Sequence, residues 1–310
     1  MKPLLEHIDY EISKACNLSC VHCSALAGKG KEPDLDLIKK VLKEAKSLGL
    51  KRLGITGGEP FLFPDFLSEL IDFSFDKLGC PAHIHTNGTL VSENIHLVKD
   101  RAEKLENVTL TLLGYKDTHD FNCGLNGAYE KVRGAAKQIL EHKIPLMVFL
   151  IPFFNNFAQL SEAATDFYNI GVRNFRIMRL SPGGKAGQNY KKLKLNDEQA
   201  SLFISELDSL KEKQQIQFSV GYCTRLIYPD LKSLKHHDFC MSGKNRLHIN
   251  ADGYVFPCTS SSGFMEMNVG NIKLQRLEEI WLSSDKLKYA RKNNFDGCKV
   301  QDYYAKRSKR

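Results

Sequence analysis

Nine cysteines stand in a chain of otherwise ordinary composition, and they are the residues through which this sequence could do chemistry. Cys16, Cys20 and Cys23 form Cys-x-x-x-Cys-x-x-Cys. Three thiolates so close on one loop can converge on a small inorganic centre. A structural zinc wants four ligands, and His22 is a poor fourth because its neighbour Cys23 is already used. Three thiolates suit a [4Fe–4S] cluster with one iron left open, a place for a small ligand. Spacing alone leaves an iron–sulfur cluster, zinc and a chance grouping as readings, the first fitting best. Cys240, Cys258 and Cys298 are a second set, far apart in sequence. Cys223 belongs to neither, and three roles stay open for it: a buried thiol, a further ligand to the second set, or a catalytic thiol. Cys80, between Gly79 and Pro81, is expected to be structural, and Cys123 non-catalytic.

The rest of the sequence describes the elements that must position these residues. Strands are expected at His7–Ser13, Lys51–Thr56, Ala82–Thr86, Val108–Leu113, Pro145–Ile151 and Phe175–Arg179, from short apolar or alternating runs. Helical periodicity covers Asp34–Leu48, Pro64–Leu78, Val91–Glu103, Ala128–His142, Ala158–Ile170 and Asn196–Lys213. Six β-α units in a row demand a parallel sheet with helices outside it. The fold class is therefore α/β, a partial (β/α)6 barrel over residues 1–214, with its chemistry in loops after the strand C-termini. Residues 215–310 change character: a probable strand at Ile216–Val220, a hairpin about Ala251-Asp252-Gly253, and a helix over Leu277–Leu287. This part reads as a small α+β extension.

A length of 310 residues fits one large domain plus such an appendage. The 42% hydrophobic and 26% charged content excludes a disordered, collagen-like or coiled-coil chain. The first residues lack a secretory h-region, and the longest apolar run, Ile144–Phe154, holds two prolines. A cytoplasmic protein without membrane insertion is expected, where clustered thiols mean metal or redox chemistry. The net charge of +8 and the basic stretch Lys306–Arg310 serve solubility or attract an acidic partner. No aromatic-plus-basic signature points to nucleic acid.

Cys16-Asn17-Leu18-Ser19-Cys20-Val21-His22-Cys23 resembles the signature of the radical SAM superfamily. The resemblance implies that Cys16, Cys20 and Cys23 hold a [4Fe–4S] cluster whose open iron chelates S-adenosylmethionine, and that the pair yields a 5′-deoxyadenosyl radical. Gly57-Gly58-Glu59-Pro60 is similar to the family motif that holds the methionine amino group. Thr86 and Asn87 after the third strand, Thr111 on the fourth, Asn155 after the fifth and Leu180 after the sixth fall where relatives contact the cofactor. Leu113 replaces an acid of the family pattern, while His119-Asp120 match a familiar pair.

The segment from Cys240 through Asn250–Cys258, Val269–Ile272 and Leu277–Trp281 resembles the SPASM/Twitch extension. The resemblance implies one auxiliary [4Fe–4S] cluster on Cys240, Cys258 and Cys298, with its fourth ligand open among water, substrate, a carboxylate such as Asp296, or another cysteine. Small enzymes of this kind mostly modify ribosomally made peptides. Length, one auxiliary cluster and Cys223 most resemble the epipeptide-type peptide epimerases, isomerases that convert L- to D-residues. That resemblance implies a precursor peptide as substrate, Cys223 as hydrogen donor, an external electron donor such as a flavodoxin or ferredoxin, and a monomer. Thioether- or cross-link-forming maturases share nearly every motif. A nucleotide cyclase of the molybdopterin type lacks its Gly-Gly end here. An iron–sulfur electron carrier or zinc regulator would have no need of Gly57-Gly58-Glu59-Pro60.

Overall fold

The computed structural model describes residues 2–214, 216–221, 223–224, 228, 235–236 and 240–292. Cys298 and Asp296 lie outside the described residues.

Strands β1 (His7–Glu11), β2 (Arg52–Thr56), β3 (Ala82–His85), β4 (Leu105–Leu112), β5 (Leu146–Leu150) and β6 (Asn174–Ile177) are parallel neighbours in chain order. This is the partial α/β barrel that six β-α units require. Around it run α1 (Leu35–Ser47), α2 (Pro64–Asp72), α3 (Ile95–Lys99), α4 (Asp117–Cys123), α5 (Ala128–Glu141), α6 (Leu160–Asn169), α7 (Gly184–Gln188), α8 (Tyr190–Leu193) and α9 (Asp197–Gln214). Helix α1 begins where Asp34 accepts a hydrogen bond from the Leu37 N–H at 2.9 Å, an N-cap. Its apolar stripe, Ile38, Val41, Leu42 and Ala45, joins Ile8 and Tyr10 of β1 in one core. Each such fully buried aliphatic side chain stabilises by roughly 1.5–3 kcal/mol.

Three local departures have local causes. The helix expected over Val91–Glu103 is interrupted: a single turn at Ser92–Asn94 leads into the short α3. Asn94 donates its amide to the Leu90 carbonyl at 2.9 Å, a side-chain competition that disfavours helix interiors. Helix α4 was not expected; it stops at Gly124, whose φ of 72° completes a left-handed cap. The helix expected over Leu277–Leu287 is two, Leu277–Ser283 and Asp285–Lys292, parted at Ser284 by extended backbone.

The sheet does not stop at residue 214. β7 (Gln217–Val220) pairs with β6, and β8 (Lys235–His236) with β7, both in parallel. β9 (Arg246–Ile249) pairs in parallel with β1 at the other edge, and β10 (Tyr254–Phe256) and β11 (Gly270–Asn271) follow antiparallel. Among the described residues this gives one eleven-stranded sheet, ordered β11-β10-β9-β1 through β8. The C-terminal part thus extends both edges of the barrel.

Side chains alternate across a strand, so Ile8 and Tyr10 face the helices while His7, Asp9 and Glu11 face the lumen. The lumen is correspondingly polar. Asp9 Oδ1 lies 2.8 Å from His7 Nε2 and 3.4 Å from His83 Nε2, and its Oδ2 accepts from Thr259 Oγ1 at 3.2 Å and faces Arg246 at 4.0 Å. Glu11 meets His248 Nε2 at 3.1 Å. Burial opposes ionisation of Asp9, but His7, His83 and Arg246 outweigh it and hold the carboxyl well below its usual range. Gly54 of β2 makes the arrangement possible. A Cβ there would stand 2.3 Å from Asp9 Oδ1 and 2.6 Å from His83 Nε2. Arg246 of β9 therefore brings a cation to Asp9 and His248 a hydrogen-bond partner to Glu11, so polar contacts as well as backbone pairing seat the added strand.

Candidate functional site

The three-cysteine loop leaves β1 and is tied back on itself: the Cys16 N–H donates to Gly28 O at 2.9 Å and the Gly28 N–H to Lys14 O at 2.8 Å. Cys16, Cys20 and Cys23 are all half-buried. Cys16 Sγ accepts from the Leu18 N–H at 3.5 Å and Cys23 Sγ from the Ala27 N–H at 3.4 Å. Asn87 Nδ2 stands 3.9 Å from Cys16 Sγ. Backbone N–H groups aimed at sulfur are the environment an iron–sulfur cluster uses to set its potential. Among the described residues, the three side chains whose ligand atoms all lie within 4.8 Å of one another are His7, Asp9 and His83. Three thiols on one loop with N–H donors toward sulfur suit an iron–sulfur centre. His22 stacks on Phe153, and burial lowers its pKa to about 4, so it is neutral.

Gly57 and Gly58 lie against this loop. A Cβ on Gly58 would stand 1.9 Å from Ala15 O, and one on Gly57 2.5 Å from Ser13 O. The Gly58 and Glu59 N–H groups donate to Ser13 O and Ala15 O, each at 2.8 Å. The glycines are thus needed for close packing of one loop on the other, a reason that the motif itself does not display. Glu59 is fully buried and faces the protein. Its carboxylate accepts from Thr86 Oγ1 at 2.7 Å, the Asn87 N–H at 2.7 Å and the Phe61 N–H at 3.0 Å. Burial pushes its pKa up to about 7 against the pull of these donors. Glu59 and Thr86 act as a strut between the loops after β2 and β3. Asn87 continues inward, donating to Asn17 Oδ1 at 2.9 Å.

The loops after β4 and β5 are braced in the same way. His119 Nδ1 accepts from the Leu113 N–H at 3.1 Å, and Asp120 accepts from the Gly127 and Tyr129 N–H groups to cap α5. Asn122 donates to Leu113 O at 2.7 Å and accepts from Asn155 Nδ2 at 2.7 Å, tying the exposed Asn155 to β4. Cys123 is buried 3.3 Å from His119 Nε2 and is hydrogen-bonded to Cys20. That bond lowers the Cys20 thiol pKa and raises that of Cys123. Leu18, Leu113, Cys123, Phe153 and Leu180 form a separate apolar cluster on which Cys16 and Cys20 pack. Leu113, where the family has an acid, serves this dry shell. Thr111 sits on β4 beside Phe149 of β5. Cys80 is elsewhere, buried in the main core with Sγ 3.2 Å from Leu50 O.

A cavity of about 280 Å³ opens in the lumen. It brings together Cys223, Cys240 and Cys258 with His22 and Ser24 of the first cysteine loop. Glycine loops pack closely on Ser24 of this lining: a Cβ on Gly184 would meet Ser24 O at 2.5 Å, and one on Gly263 would meet Gly183 Cα at 2.7 Å. Arg176, Arg179 and Arg246 also line the cavity. Of these, Arg179 stood at the end of the expected sixth strand, but its place in the cavity wall depends on tertiary packing and was not readable. Asn122 and the Cys20–Cys123 contact were missed for a similar reason, since α4 was not expected.

A partial barrel with a three-cysteine loop and a glycine-bearing loop packed on it, both at strand C-termini, defines an iron–sulfur enzyme of the radical-generating kind. Residues 10–167 match the Radical SAM superfamily, and residues 240–301 match an iron–sulfur cluster-binding domain, SPASM. The chain belongs to the radical SAM superfamily, and its cofactors are S-adenosylmethionine and [4Fe–4S] clusters. It is 24% identical over 294 residues to the AdoMet-dependent heme synthase of Methanosarcina barkeri, covering 90% of this chain and 82% of that one. It is 26% identical over 255 residues to the sporulation killing factor maturation protein SkfB of Bacillus subtilis, covering 80% of this chain and 58% of that one. The crystal structure of Streptococcus suis SuiB bound to precursor peptide SuiA aligns with a TM-score of 0.77 at 17% identity, covering 97% of this chain and 72% of that one. That likeness concerns the fold.

Proposed function

We propose that this enzyme is a peptide epimerase acting on a ribosomally synthesised precursor. The observation that carries the reading is a lumen cavity lined by Cys223, Cys240, Cys258 and the first cysteine loop. Similarity to proteins named for maturation or bound to a precursor peptide supports a peptide substrate. Residues 1–214 serve as the radical-generating unit and 215–310 as the auxiliary cluster unit. S-adenosylmethionine and its cluster supply a 5′-deoxyadenosyl radical when bound. Cys16, Cys20 and Cys23 hold that cluster, and Cys240, Cys258 and Cys298 the auxiliary one. Gly57–Pro60, Thr86, Asn87, Thr111, Asn155 and Leu180 shape the cofactor's seat, Glu59, Thr86 and Asn87 through the strut they make together. The apolar shell of Leu18, Leu113, Phe153 and Leu180 keeps water from it.

Once a substrate Cα has lost hydrogen on one face, the Cys223 thiol gives its S–H hydrogen atom to the other face. This leaves a Cys223 thiyl, which one electron from an external donor such as a flavodoxin or ferredoxin, and one proton, restore. The protein works as a cytoplasmic monomer.

Turnover in D2O with the precursor peptide tests this. An epimerase adds one deuterium per inverted residue with the bond framework intact. Loss of two hydrogens means cross-linking and overturns the epimerase assignment. Cys223→Ala is expected to keep 5′-deoxyadenosine formation and lose the D-residue; normal epimerisation by this variant removes Cys223 as the donor.

A further inference from the structure

The cavity lining carries three guanidinium groups and, among its described residues, no Asp or Glu. Arg246 is offset by Asp9 at 4.0 Å. Arg176 has no ion pair among the described residues, and burial, with Arg246 and Arg52 nearby, lowers its pKa. Arg179 is the most exceptional. The residue is 5% exposed, and Nε and both terminal nitrogens lack a hydrogen-bond partner among the described residues. Only its backbone is held, the N–H donating to Thr224 Oγ1 at 3.1 Å. Burying a charge with none of its donors satisfied costs several kcal/mol. A fold keeps such a group where a ligand completes it. The guanidinium is a planar fork matched to a carboxylate.

We infer that Arg179, with Arg176 beside it on the lumen wall, is the seat for a carboxylate of the substrate, so that the cavity takes a peptide presenting an acidic side chain next to Cys223. The inference rests on the reading of the cavity as the peptide site. Two other anions are alternatives to the substrate carboxylate. One is the carboxylate of S-adenosylmethionine; the Gly57–Pro60 and Thr86–Asn87 segments are not part of this cavity's lining. The other is an auxiliary cluster near Cys240 and Cys258.

The test uses the anaerobically reconstituted enzyme and two probes, N-acetyl-glutamate methylamide and N-acetyl-glutamine methylamide, with binding read by saturation-transfer NMR. Wild-type enzyme is expected to prefer the glutamate probe by about ten-fold or more, as for hydrogen bonds to a charged group. Arg179→Gln is expected to abolish the preference and Arg179→Lys to retain part of it. Dissociation constants for S-adenosylmethionine, measured by equilibrium dialysis, are expected to be unchanged in both. Equal binding of the two probes by wild type overturns the inference whatever the variants do. Weakened S-adenosylmethionine binding in Arg179→Gln reassigns the arginine to the cofactor. A shifted auxiliary-cluster potential with the probe preference intact reassigns it to the cluster. Because these readouts need no peptide turnover, their failure is distinct from that of the epimerase assignment, which the D2O experiment decides.

Discussion

Replacing Glu59 by Gln separates two forces on one buried carboxyl. Burial raises its pKa from an ordinary value near 4.5 to about 7, despite donors at 2.7, 2.7 and 3.0 Å. A raised folded-state value means stability present in full below the unfolded pKa and lost as pH rises through the folded one. At about 1.4 kcal/mol per pH unit, that window contributes about 3 kcal/mol of falling stability between pH 4.5 and 7. Glu59→Gln has no proton to lose, so it lacks this slope. It also turns an NH2 toward the Asn87 N–H, stranding a buried donor at a cost of about 1–3 kcal/mol at every pH. The variant is therefore expected to be the less stable protein near pH 5 and to recover relative to wild type by about 3 kcal/mol near pH 8. Urea denaturation of both anaerobic proteins at half-unit pH steps gives the difference curve directly. A flat difference from pH 5 to 8 refutes the reasoning, and means that the N–H donors keep Glu59 ionised throughout.

Gly58→Ala pushes a methyl into Ala15 O and is expected to cost the first cluster, read as iron per chain and visible absorbance. Gly28→Ala, with nothing within 4 Å of the new Cβ, is expected to retain it; equal loss in both undermines the packing argument. Asp9→Asn removes the carboxylate shared by His83 and Arg246, leaving His83 only Glu106, and is expected to destabilise by about 3–5 kcal/mol. An unchanged urea midpoint would show the lumen network to be energetically idle.

The barrel was legible because each strand–helix pair carries its own periodicity and stop signal, as Asp34 and Gly49 do around α1. Cys16, Cys20 and Cys23 were legible as one group because they share a loop. What joins distant segments was not. The seating of β9 on β1 depends on polar contacts among Asp9, Glu11, Arg246 and His248, which become partners only in three dimensions. Gly57 and Gly58 announced a tight loop, but what they approach, the Ser13–Ala15 backbone, is set by tertiary packing. Arg179 looked like any arginine at a strand end, because burial without a partner has no sequence signature.

The pairing of β1 with β9 also sets a timetable. Arg246 follows His7 by 239 residues. At translation rates of roughly 5–20 residues per second, β1 waits about 12–50 s for the strand that covers its edge. During synthesis that edge belongs to a growing chain on a crowded ribosome. Glu11, and Asp9 short of Arg246, are then carboxylates on an open strand without the partners that β9 brings. Inward-pointing charge of this kind deters pairing with other chains. The same two acids that anchor β9 in the finished enzyme therefore guard its place while the nascent polypeptide is incomplete.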